Sequence, residues 1–385
     1  MSEHTFTATL AETGRAVIVE WHNGKITSIE SAGAPTARWI APALCDIQVN
    51  GYAGVDFQSD TTTVDDLQLA AAKLLEAGCA QILLTLVTDE WSALTARFRR
   101  MRELRDSSPV LRAAFPGFHI EGPFLSGTPG FKGAHDASVM IDPTPEKIRE
   151  LRAIAADLPL MLTLAPERTG AIEAIKLAVS LGIRISCGHT DASAETLAAA
   201  AHAGATMFTH LGNGCPQQLD RHNNILWRAI ETPGLTAGII PDCIHVSPML
   251  FRILNRALSP ERFYYTTDCM SAAGGPPGRY RIGKTEIEVG ADKVVRQPGQ
   301  TNFAGSALTP IEGVFRSAKM LRRPWQHTWH GFSTRPRELM GLSGELKVGE
   351  DATFCVLEQH GKVVNMDVYV RGEKKAQTTV DLESV

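Results

Sequence analysis

The sequence lacks the patterns that would place it in several large classes of protein. Its seven cysteines form no C-x-x-C pair, which argues against a zinc knuckle and against a disulfide framework. No apolar run approaches the roughly 18 residues of a membrane span. The net charge of -4 and the pI near 6.3 give no reason to expect nucleic acid or an anionic membrane as a partner.

The first residues also lack a basic start followed by an apolar core, which argues against a signal peptide and predicts a cytoplasmic location.

Five arginines lie between Arg97 and Arg105 in a stretch with helical periodicity that also contains Glu103. We interpret this run as a solvated helix face. With 385 residues, of which 44% are apolar, the chain can bury a large core without a stabilising disulfide.

Short alternating strands are predicted at both ends of the chain. Near the N-terminus, two β-rich runs flank His22-Asn23-Gly24, which is a hairpin turn signal. The stretch 344–373 contains several short strand-like runs punctuated by Gly and Asp. Two such segments can pair into one domain, so we predict a small discontinuous β-sandwich domain built from residues 1–42 and 343–385.

Residues 43–342 show a different pattern, in which apolar runs alternate with stretches of helical periodicity. Glycine follows several of the helical stretches, as at Gly78, where a left-handed residue commonly ends a helix. About eight apolar runs with intervening helices predict a (β/α)8 barrel of the TIM type as the catalytic domain. A doubly wound open sheet is the alternative, but no G-x-G-x-x-G opens the first helix.

Polar residues gather where the predicted barrel strands end. In such a barrel these ends share one face, and that face carries the active site. Glu121, His189 and His210 follow three different strands and form a three-ligand set with one open position, as a catalytic metal site requires. A lone histidine at a strand end is more often a hydrogen-bonded structural residue, but two histidines together with a glutamate favour a metal site.

Asp268 follows the last predicted barrel strand. A carboxylate there can accept a proton from a water molecule whose pKa a metal ion lowers toward ~7. The alternative role for Asp268 is the N-cap of the next helix.

His119 lies two residues before Glu121 on the same face of its strand. It would sit one layer deeper, where a core or supporting histidine is a better interpretation than a ligand.

Longer motifs occur in a characteristic order. They are PALCDIQVNGYAGVDF (42–57), FHIEGPFL (118–125), FKGAHD (131–136), CGHTDAS (187–193), THLGNG (209–214), GIIPDCIHVSP (238–248), TTDCMSAAGGPPGRYRIG (266–283) and FAGSALTP (303–310). HIEGPF and FAGSALT are specific, whereas the short histidine motifs alone are weak. With this set, the chain resembles the N-acetylglucosamine-6-phosphate deacetylases of the amidohydrolase superfamily over nearly its whole length.

The resemblance implies deacetylation of N-acetylglucosamine-6-phosphate, or of a close N-acetyl amino-sugar phosphate, to acetate and the amino-sugar phosphate. It implies Glu121, His189 and His210 as metal ligands. Asp268 would be the general base and acid, and His245 would bind substrate and polarise its acetamide carbonyl. Further positions match the family's substrate contacts and active-site loop, namely Ala134, His135, Asn213, Gly214, Phe303, Ala304 and Gly305.

Gln48 and Asn50 stand where many amidohydrolases carry H-x-H, which builds a second metal position. Carboxamides are poorer zinc ligands than imidazoles, so the chain looks like the single-metal variant of the family. We expect one divalent ion per subunit. Zinc is the first expectation, and Fe2+, Mn2+ and Co2+ are alternatives because two imidazoles and a carboxylate suit all four metals.

The resemblance also implies a homodimer, because the family binds the sugar phosphate with an arginine from the neighbouring subunit. Arg221 stands at the matching distance after Asn213, and arginine suits bidentate phosphate recognition. Its surroundings depart from the family pattern, since Gly212 replaces a usual aromatic residue and His222 is an added candidate phosphate donor. The alternative is an ordinary surface arginine in an enzyme that deacylates an unphosphorylated or otherwise substituted N-acyl amine.

Two other functions fit the residues less well. A cyclic-amide hydrolase related to dihydroorotase would need H-x-H on the first strand and a bridging lysine at the end of the fourth, where the sequence reads LMLTLAPE. A catalytically silent metal-binding sensor would have no need to keep the ligands together with Asp268 and His245.

Overall fold

The computed structural model describes residues 4–299 and 303–385. In chain order its strands are β1 (His4–Leu10), β2 (Ala16–His22), β3 (Lys25–Ser31), β4 (Arg38–Pro42), β5 (Leu44–Val49), β6 (Gly51–Tyr52), β7 (Val55–Asp56), β8 (Cys79–Val87), β9 (Gly117–Glu121), β10 (Leu160–Leu164), β11 (Arg184–Cys187), β12 (Met207–Phe208), β13 (Thr236–Ile239), β14 (Phe263–Tyr265), β15 (Gly278–Ile282), β16 (Thr285–Val289), β17 (Val295–Arg296), β18 (Phe354–His360), β19 (Val363–Val370) and β20 (Glu373–Asp381).

The α-helices in this part of the chain are α1 (Val64–Glu76), α2 (Trp91–Asp106), α3 (Pro109–Ala114), α4 (Pro145–Ala155), α5 (Ala171–Ser180), α6 (Ala194–His202), α7 (Ile225–Glu231), α8 (Pro248–Ala257), α9 (Pro310–Leu321), α10 (Gln326–Trp329) and α11 (Thr334–Met340). Short 3-10 helices span Ala137–Val139, Pro260–Arg262 and His330–Phe332. No helix in the described ranges is both long and apolar enough to cross a membrane.

Eight parallel strands form the catalytic barrel, in the spatial order β5, β8, β9, β10, β11, β12, β13 and β14. This spatial order is the chain order, and at least one helix separates each barrel strand from the next. The predicted (β/α)8 barrel is confirmed. The alternative of an open doubly wound sheet is wrong, because the strand order lacks the reversal that defines such a sheet.

Local sequence signals account for the barrel helices, as α1 illustrates. Thr63 and Asp66 form a capping box at its first turn, which satisfies backbone N–H groups that have no partner within the helix. Leu67, Ala70, Ala71 and Leu74 are the buried residues of α1, at the spacing of one helix face. The helix ends before Gly78, whose φ of 77° is left-handed, as the sequence predicts.

Strands from both ends of the chain form one sheet, in the order β20-β19-β18-β4-β1-β2-β3. The predicted hairpin turn joins β2 to β3, with φ of 50° at Asn23 and 78° at Gly24. The sheet curls on itself, so that the Trp21 ring of β2 packs edge-on against Phe354 of β18 with centroids 5.5 Å apart. The two chain ends therefore enclose a small core separate from that of the barrel.

The arginines of α2 are predicted to form a solvated helix face, but two of them are buried. Arg97 is only 4% exposed, and its guanidinium bonds Asp60 and Asp89. Arg105 is also buried, and it donates to the backbone carbonyls of Phe115 and Arg112. The prediction is wrong for these two residues because guanidinium donors can satisfy carboxylates and carbonyls inside the protein.

A three-stranded antiparallel sheet, β15–β17, follows the last barrel strand and was not predicted from the sequence. The contacts that attach it to the barrel face include two hydrogen bonds. Ser271 Oγ donates to the carbonyl of Arg281 at 2.8 Å, and Gly283 N donates to Asp56 Oδ2 at 2.7 Å. Phe303, the first described residue after Gly299, lies at the barrel mouth beside His245.

Candidate active site

Glu121, His189 and His210 converge at the C-terminal face of the barrel. Glu121 ends β9, and the two histidines follow β11 and β12. The two imidazole Nε2 atoms are 3.1 Å apart, and Glu121 Oε1 lies 3.1 Å from Nε2 of His210 and 3.4 Å from Nε2 of His189. All three residues are buried, with 3–6% of their surfaces exposed. The structure thus brings together the three residues predicted as ligands.

The chemistry of these atoms fits a metal ion. Nδ1 of His189 lies 2.9 Å from the carbonyl of Phe131, which can only accept, so Nδ1 carries a proton. In the neutral ring, the lone pair on Nε2 then faces Glu121 and His210, and this is the orientation that metal-ligating histidines show. Burial raises the pKa of Glu121, but the adjacent imidazoles of His189 and His210 outweigh burial and hold that pKa well below its usual range. An anionic oxygen and two imidazole nitrogens are ligands that divalent transition metals prefer.

Gln48 and Asn50 lie between the two carboxylates of the site. Gln48 Nε2 donates to Glu121 Oε1 and to Asp268 Oδ1, both at 3.0 Å. Asn50 Nδ2 donates to the same Asp268 oxygen at 2.8 Å. Their N–H groups therefore stabilise two negative charges that would otherwise repel each other. From the sequence, both residues are predicted only as missing ligands, and these contacts are not predicted.

Asp268 follows β14 and is linked through Gln48 to the candidate metal-ligand set, which is Glu121, His189 and His210 and is called the metal-ligand set below. Burial, together with the negative charge of Glu121, raises the pKa of Asp268 to about 7. Among the described residues, hydrogen bonds engage only one of its carboxylate oxygens, Oδ1. Asp268 thus combines a pKa near neutrality with one oxygen left for proton transfer, as a general base requires.

The backbone at three of these positions lies in the left-handed region that residues with a side chain seldom adopt. The φ angles are 49° at His189, 31° at His210 and 49° at Asp268. Such conformations cost of order 1–3 kcal/mol each and persist where surrounding contacts enforce them. Ser306 supplies one such contact, because its N–H donates to the carbonyl of Asp268 at 3.0 Å.

His245 is oriented by a neighbour that sequence analysis missed. Its Nδ1 lies 2.6 Å from Asp242 Oδ2, and Asp242 Oδ1 accepts from the backbone N–H of His245 at 2.7 Å. The Phe303 ring packs on the imidazole with centroids 4.9 Å apart. The local pattern D-x-x-H was available in the sequence as a signal for this pair. These contacts leave Nε2 of His245 to face a ligand.

The loop residues predicted as substrate contacts lie beside the metal-ligand set. His135 Nε2 is 3.9 Å from Glu121 Oε2, and its ring packs edge-on against His189 with centroids 4.5 Å apart. Gly214 passes so close that an added Cβ would lie 3.0 Å from Nδ1 of His189. Asn213 is held by its backbone N–H, which donates to the carbonyl of His210 at 2.9 Å. The neighbouring Ala134 is exposed.

The loop that follows β17 reaches both His245 and Asp268. Phe303 is 38% exposed, whereas Ala304 is buried and donates its N–H to the carbonyl of Val295 at 3.2 Å. Gly305 has a φ of 72°, and an added Cβ would lie 3.2 Å from the carbonyl of Asp268. The loop thus packs against the proposed base and the proposed carbonyl-polarising group together.

Arg221 and His222 are not brought to the metal-ligand set. Both are exposed, and within the described ranges no carboxylate pairs with the Arg221 guanidinium.

His119 lies below the set and is fully buried, with Nε2 2.8 Å from the hydroxyl of Thr163. The Thr163 hydroxyl is in turn hydrogen-bonded to the hydroxyl of Thr209 at 2.8 Å. His119 therefore occupies the deeper layer expected for a supporting histidine.

No family model matches the chain. An N-acetylglucosamine-6-phosphate deacetylase from Danio rerio is 32% identical over 347 residues, which cover 87% of this chain and 84% of that protein. The chain belongs to the N-acetylglucosamine-6-phosphate deacetylase family. It is a hydrolase with the fold of the amidohydrolases.

Two other proteins to which the chain is similar differ in substrate or have a solved structure. An N-acetylgalactosamine-6-phosphate deacetylase from Escherichia coli O157:H7 is 28% identical over 358 residues, which cover 91% of this chain and 92% of that protein. The structure of an aspartate-to-alanine mutant of the N-acetyl-D-glucosamine-6-phosphate deacetylase from Mycobacterium smegmatis, in complex with N-acetyl-D-glucosamine-6-phosphate, superposes with a TM-score of 0.86. The two chains are 27% identical, and the superposition covers 98% of this chain and 100% of that one.

Proposed function

We propose that this chain hydrolyses the acetamide of N-acetylglucosamine-6-phosphate, or of a close N-acetyl amino-sugar phosphate, to acetate and the amino-sugar phosphate. The observation that carries the proposal is the link from Glu121 through Gln48 to Asp268, which joins a three-ligand metal set to a carboxylate with a pKa of about 7. The names of the relatives support the substrate class, and include the galacto epimer.

Glu121, His189 and His210 would hold one divalent metal ion, with zinc the first expectation and Fe2+, Mn2+ or Co2+ as alternatives. The metal, when bound, supplies an acidified water molecule and a Lewis acid for the acetamide oxygen. Gln48 and Asn50 support a single-metal site, because their N–H groups already occupy the carboxylate oxygens on that side.

Asp268 would move the proton. Its Oδ2 accepts a proton from the attacking water, while Gln48 and Asn50 keep Oδ1 in place. A pKa near the working pH allows the same carboxyl group to return that proton to the leaving amine. His245, oriented by Asp242, would donate from Nε2 to the acetamide oxygen as negative charge develops there. His135, Asn213, Gly214 and the loop Phe303–Gly305 would contact the sugar.

The proposed reaction is tested by acetate release. After chelation and reloading with Zn2+, Fe2+, Mn2+ or Co2+, the enzyme would be offered N-acetylglucosamine and N-acetylgalactosamine, each with and without a 6-phosphate. We expect acetate from at least one phosphorylated sugar, and much less from its plain counterpart. Efficient release only from unphosphorylated substrates would favour the broader N-acyl amine hydrolase, and no release with any metal would contradict the proposal.

We further propose a homodimer in which Arg221 binds the sugar phosphate in the neighbouring subunit. Arg221 is exposed just before α7, and its carbonyl accepts from Nε1 of Trp227 at 3.3 Å. Trp227 is 41% exposed, and Met249 and Ile253 of α8 are 66% and 41% exposed. We expect these exposed apolar side chains of α7 and α8 to be covered at the subunit interface.

Arg221→Ala is expected to raise KM for the phosphorylated sugar by about 10–100-fold, since a hydrogen bond to a charged group contributes ~1.5–3 kcal/mol. KM for the plain sugar should be unchanged. Arg149→Ala, which removes an exposed arginine from α4, is the matched control. Steady-state rates on both sugars measure the effect, and an unchanged preference for the phosphorylated sugar would remove Arg221 from the phosphate site.

Subunit mixing tests whether Arg221 acts across the interface. Arg221→Ala and Asp268→Asn protomers would be unfolded together and reassembled. Mixed dimers contain one site with both residues intact, so the mixture should regain about a quarter of wild-type activity if roughly half of the dimers are mixed. A mixture no more active than its components would contradict the assignment.

A cytoplasmic location completes the proposal. All seven cysteines are free, which suits a reducing compartment. A phosphorylated sugar carries charge that bars its passive passage through a membrane, so its hydrolase is expected in the compartment where the sugar phosphate is made.

A further inference from the structure

The first and last strands of the barrel meet with little backbone pairing. β5 and β14 stand at opposite ends of the hydrogen-bonded strand order. In the described part of the chain, their direct pairing is limited to an isolated bridge between Val49 and Cys269, with the N–H of Asn50 donating to the carbonyl of Cys269 at 2.7 Å. Asp268 lies at this junction. Its position therefore depends on side chains that cross from β5 to the end of β14.

Asp46 supplies the densest set of these crossing contacts. Its carboxylate is fully buried and accepts from the hydroxyl of Thr266 at 2.5 Å, the hydroxyl of Thr267 at 2.6 Å and the N–H of Thr267 at 2.9 Å. It also accepts from the backbone N–H of Gln48 at 3.1 Å. No lysine or arginine among the described residues pairs with it. A buried carboxylate held only by neutral donors is costly compared with an apolar residue of similar size, so packing alone does not account for it.

Three of the four donors on Asp46 belong to Thr266 and Thr267, the two residues directly before Asp268. Asp46, Gln48 and Asn50 alternate along β5 and just beyond it, and their side chains reach Thr266, Thr267 and Asp268. Because Asp46 holds both the hydroxyl and the N–H of Thr267, it fixes the residue that directly precedes the left-handed backbone of Asp268.

We propose that Asp46 is a positioning residue that holds Asp268 in the geometry needed for proton transfer. This inference rests on the proposed function, because it assigns Asp46 a task only if Asp268 is the base. Asp46 touches neither the metal-ligand set nor the loop Phe303–Gly305, so it acts through the end of β14.

Asp46→Asn tests the inference, because the amide keeps the size but turns an N–H2 group toward donors. We expect kcat for acetate release to fall by about 10–100-fold, the cost of a displacement of ~1 Å at a reacting group. KM and the zinc content per chain should remain within about twofold of wild type, because the substrate and metal contacts are retained. A loss of zinc or a rise in KM equal to the loss of kcat would indicate a general structural role and overturn the inference.

A double-mutant cycle of Asp46→Asn with Asp268→Asn distinguishes positioning of Asp268 from general damage to the fold. In an Asp268→Asn background, Asp46→Asn should lower the remaining rate by less than about twofold, since residues that act through one another are not additive. An additive loss would overturn the inference. If wild-type enzyme releases no acetate, the proposed function fails first; if wild type is active and Asp46→Asn has the same kcat, only the positioning role fails.

A milder pair of variants covers the case in which Asp46→Asn does not fold. Thr266→Val keeps the shape but removes the hydroxyl that donates to Asp46, and it should lower kcat with little change in KM. Thr266→Ser keeps the hydroxyl and should recover most of kcat. Equal rates in the two variants, with unfolding temperatures matched, would show that the hydrogen bond to Asp46 does not position the base.

Discussion

Replacing Asp268 with Asn is expected to lower kcat for acetate release by about 10²–10⁴-fold, the range that a positioned general acid–base group contributes. The Asn side chain keeps the size of Asp and can still accept from Gln48 or Asn50, but it cannot take a proton from water at neutral pH. Zinc content should stay at the wild-type value, because the three ligand residues are untouched. Initial rates and elemental analysis of the same preparations measure both quantities.

Asp191→Asn is the control for this variant. Asp191 lies two residues after His189 and pairs with Arg228 at 3.0 Å, but its side chain is 51% exposed and outside the metal-ligand set. Its loss should change kcat by less than about twofold, as is usual for an exposed ion pair. Asp268→Asn protein that keeps its zinc and retains more than about a tenth of wild-type kcat would show that another group is the base.

Glu121→Gln is expected to weaken zinc binding by more than about 100-fold, since losing even an outer-shell partner costs ~10–100-fold in affinity. The variant replaces the anionic ligand with a neutral carboxamide, and it also turns an amide N–H2 toward the N–H2 of Gln48. Activity at limiting zinc should fall in parallel. Competition with a chromophoric chelator measures the affinity directly and does not depend on turnover.

Thermal unfolding gives a second measurement for this variant. A ligand that binds only the folded state stabilises it, so zinc should raise the unfolding temperature of wild type but hardly that of Glu121→Gln. Glu167→Gln is the matched control, because Glu167 follows β10 but bonds Thr190 and the N–H of Asp191 instead of the metal-ligand set. Equal zinc affinity in wild type and Glu121→Gln would remove Glu121 from the ligands.

The barrel and the residues at its mouth could be predicted because their signals are local. Each apolar run ends in its own polar residue, and the geometry of a parallel barrel then collects these ends on one face. Glu121, His189 and His210 could therefore be predicted without knowing which side chains are in contact. The same holds for the terminal sheet, where the turn at Asn23 and Gly24 is encoded within the hairpin itself.

The hydrogen-bonded support of the site could not be predicted in this way. Gln48 and Asp268 are 220 residues apart, and Asp46 and Thr267 are 221 apart. No local pattern of spacing or hydropathy reports such a pairing. The sequence shows that Gln48 has a carboxamide in place of a metal-ligating imidazole. It does not show that this carboxamide donates to two carboxylates, because those carboxylates come from distant parts of the chain.

The sheet β15–β17 is a different case, since its signal was present. Tyr280 and Ile282 alternate with arginines, Ile287 and Val289 alternate with acidic or polar residues, and Gly283 and Lys284 form the turn between them. This is the period of a strand and its hairpin. Its position over the barrel mouth, however, depends on the distant bond between Gly283 and Asp56.

The left-handed backbone at His189, His210 and Asp268 bears on laboratory evolution. Glycine would relieve the strain at each of these positions, and relief of such strain commonly stabilises a fold. At Asp268, which is not a proposed metal ligand, selection of a random library for heat resistance alone would therefore enrich a change at the residue proposed to move protons. Glycine at His189 or His210 would also remove the stabilisation that bound zinc supplies. Thermostable descendants obtained without a screen for turnover should be enriched in inactive proteins, so stability and activity have to be selected together in this scaffold.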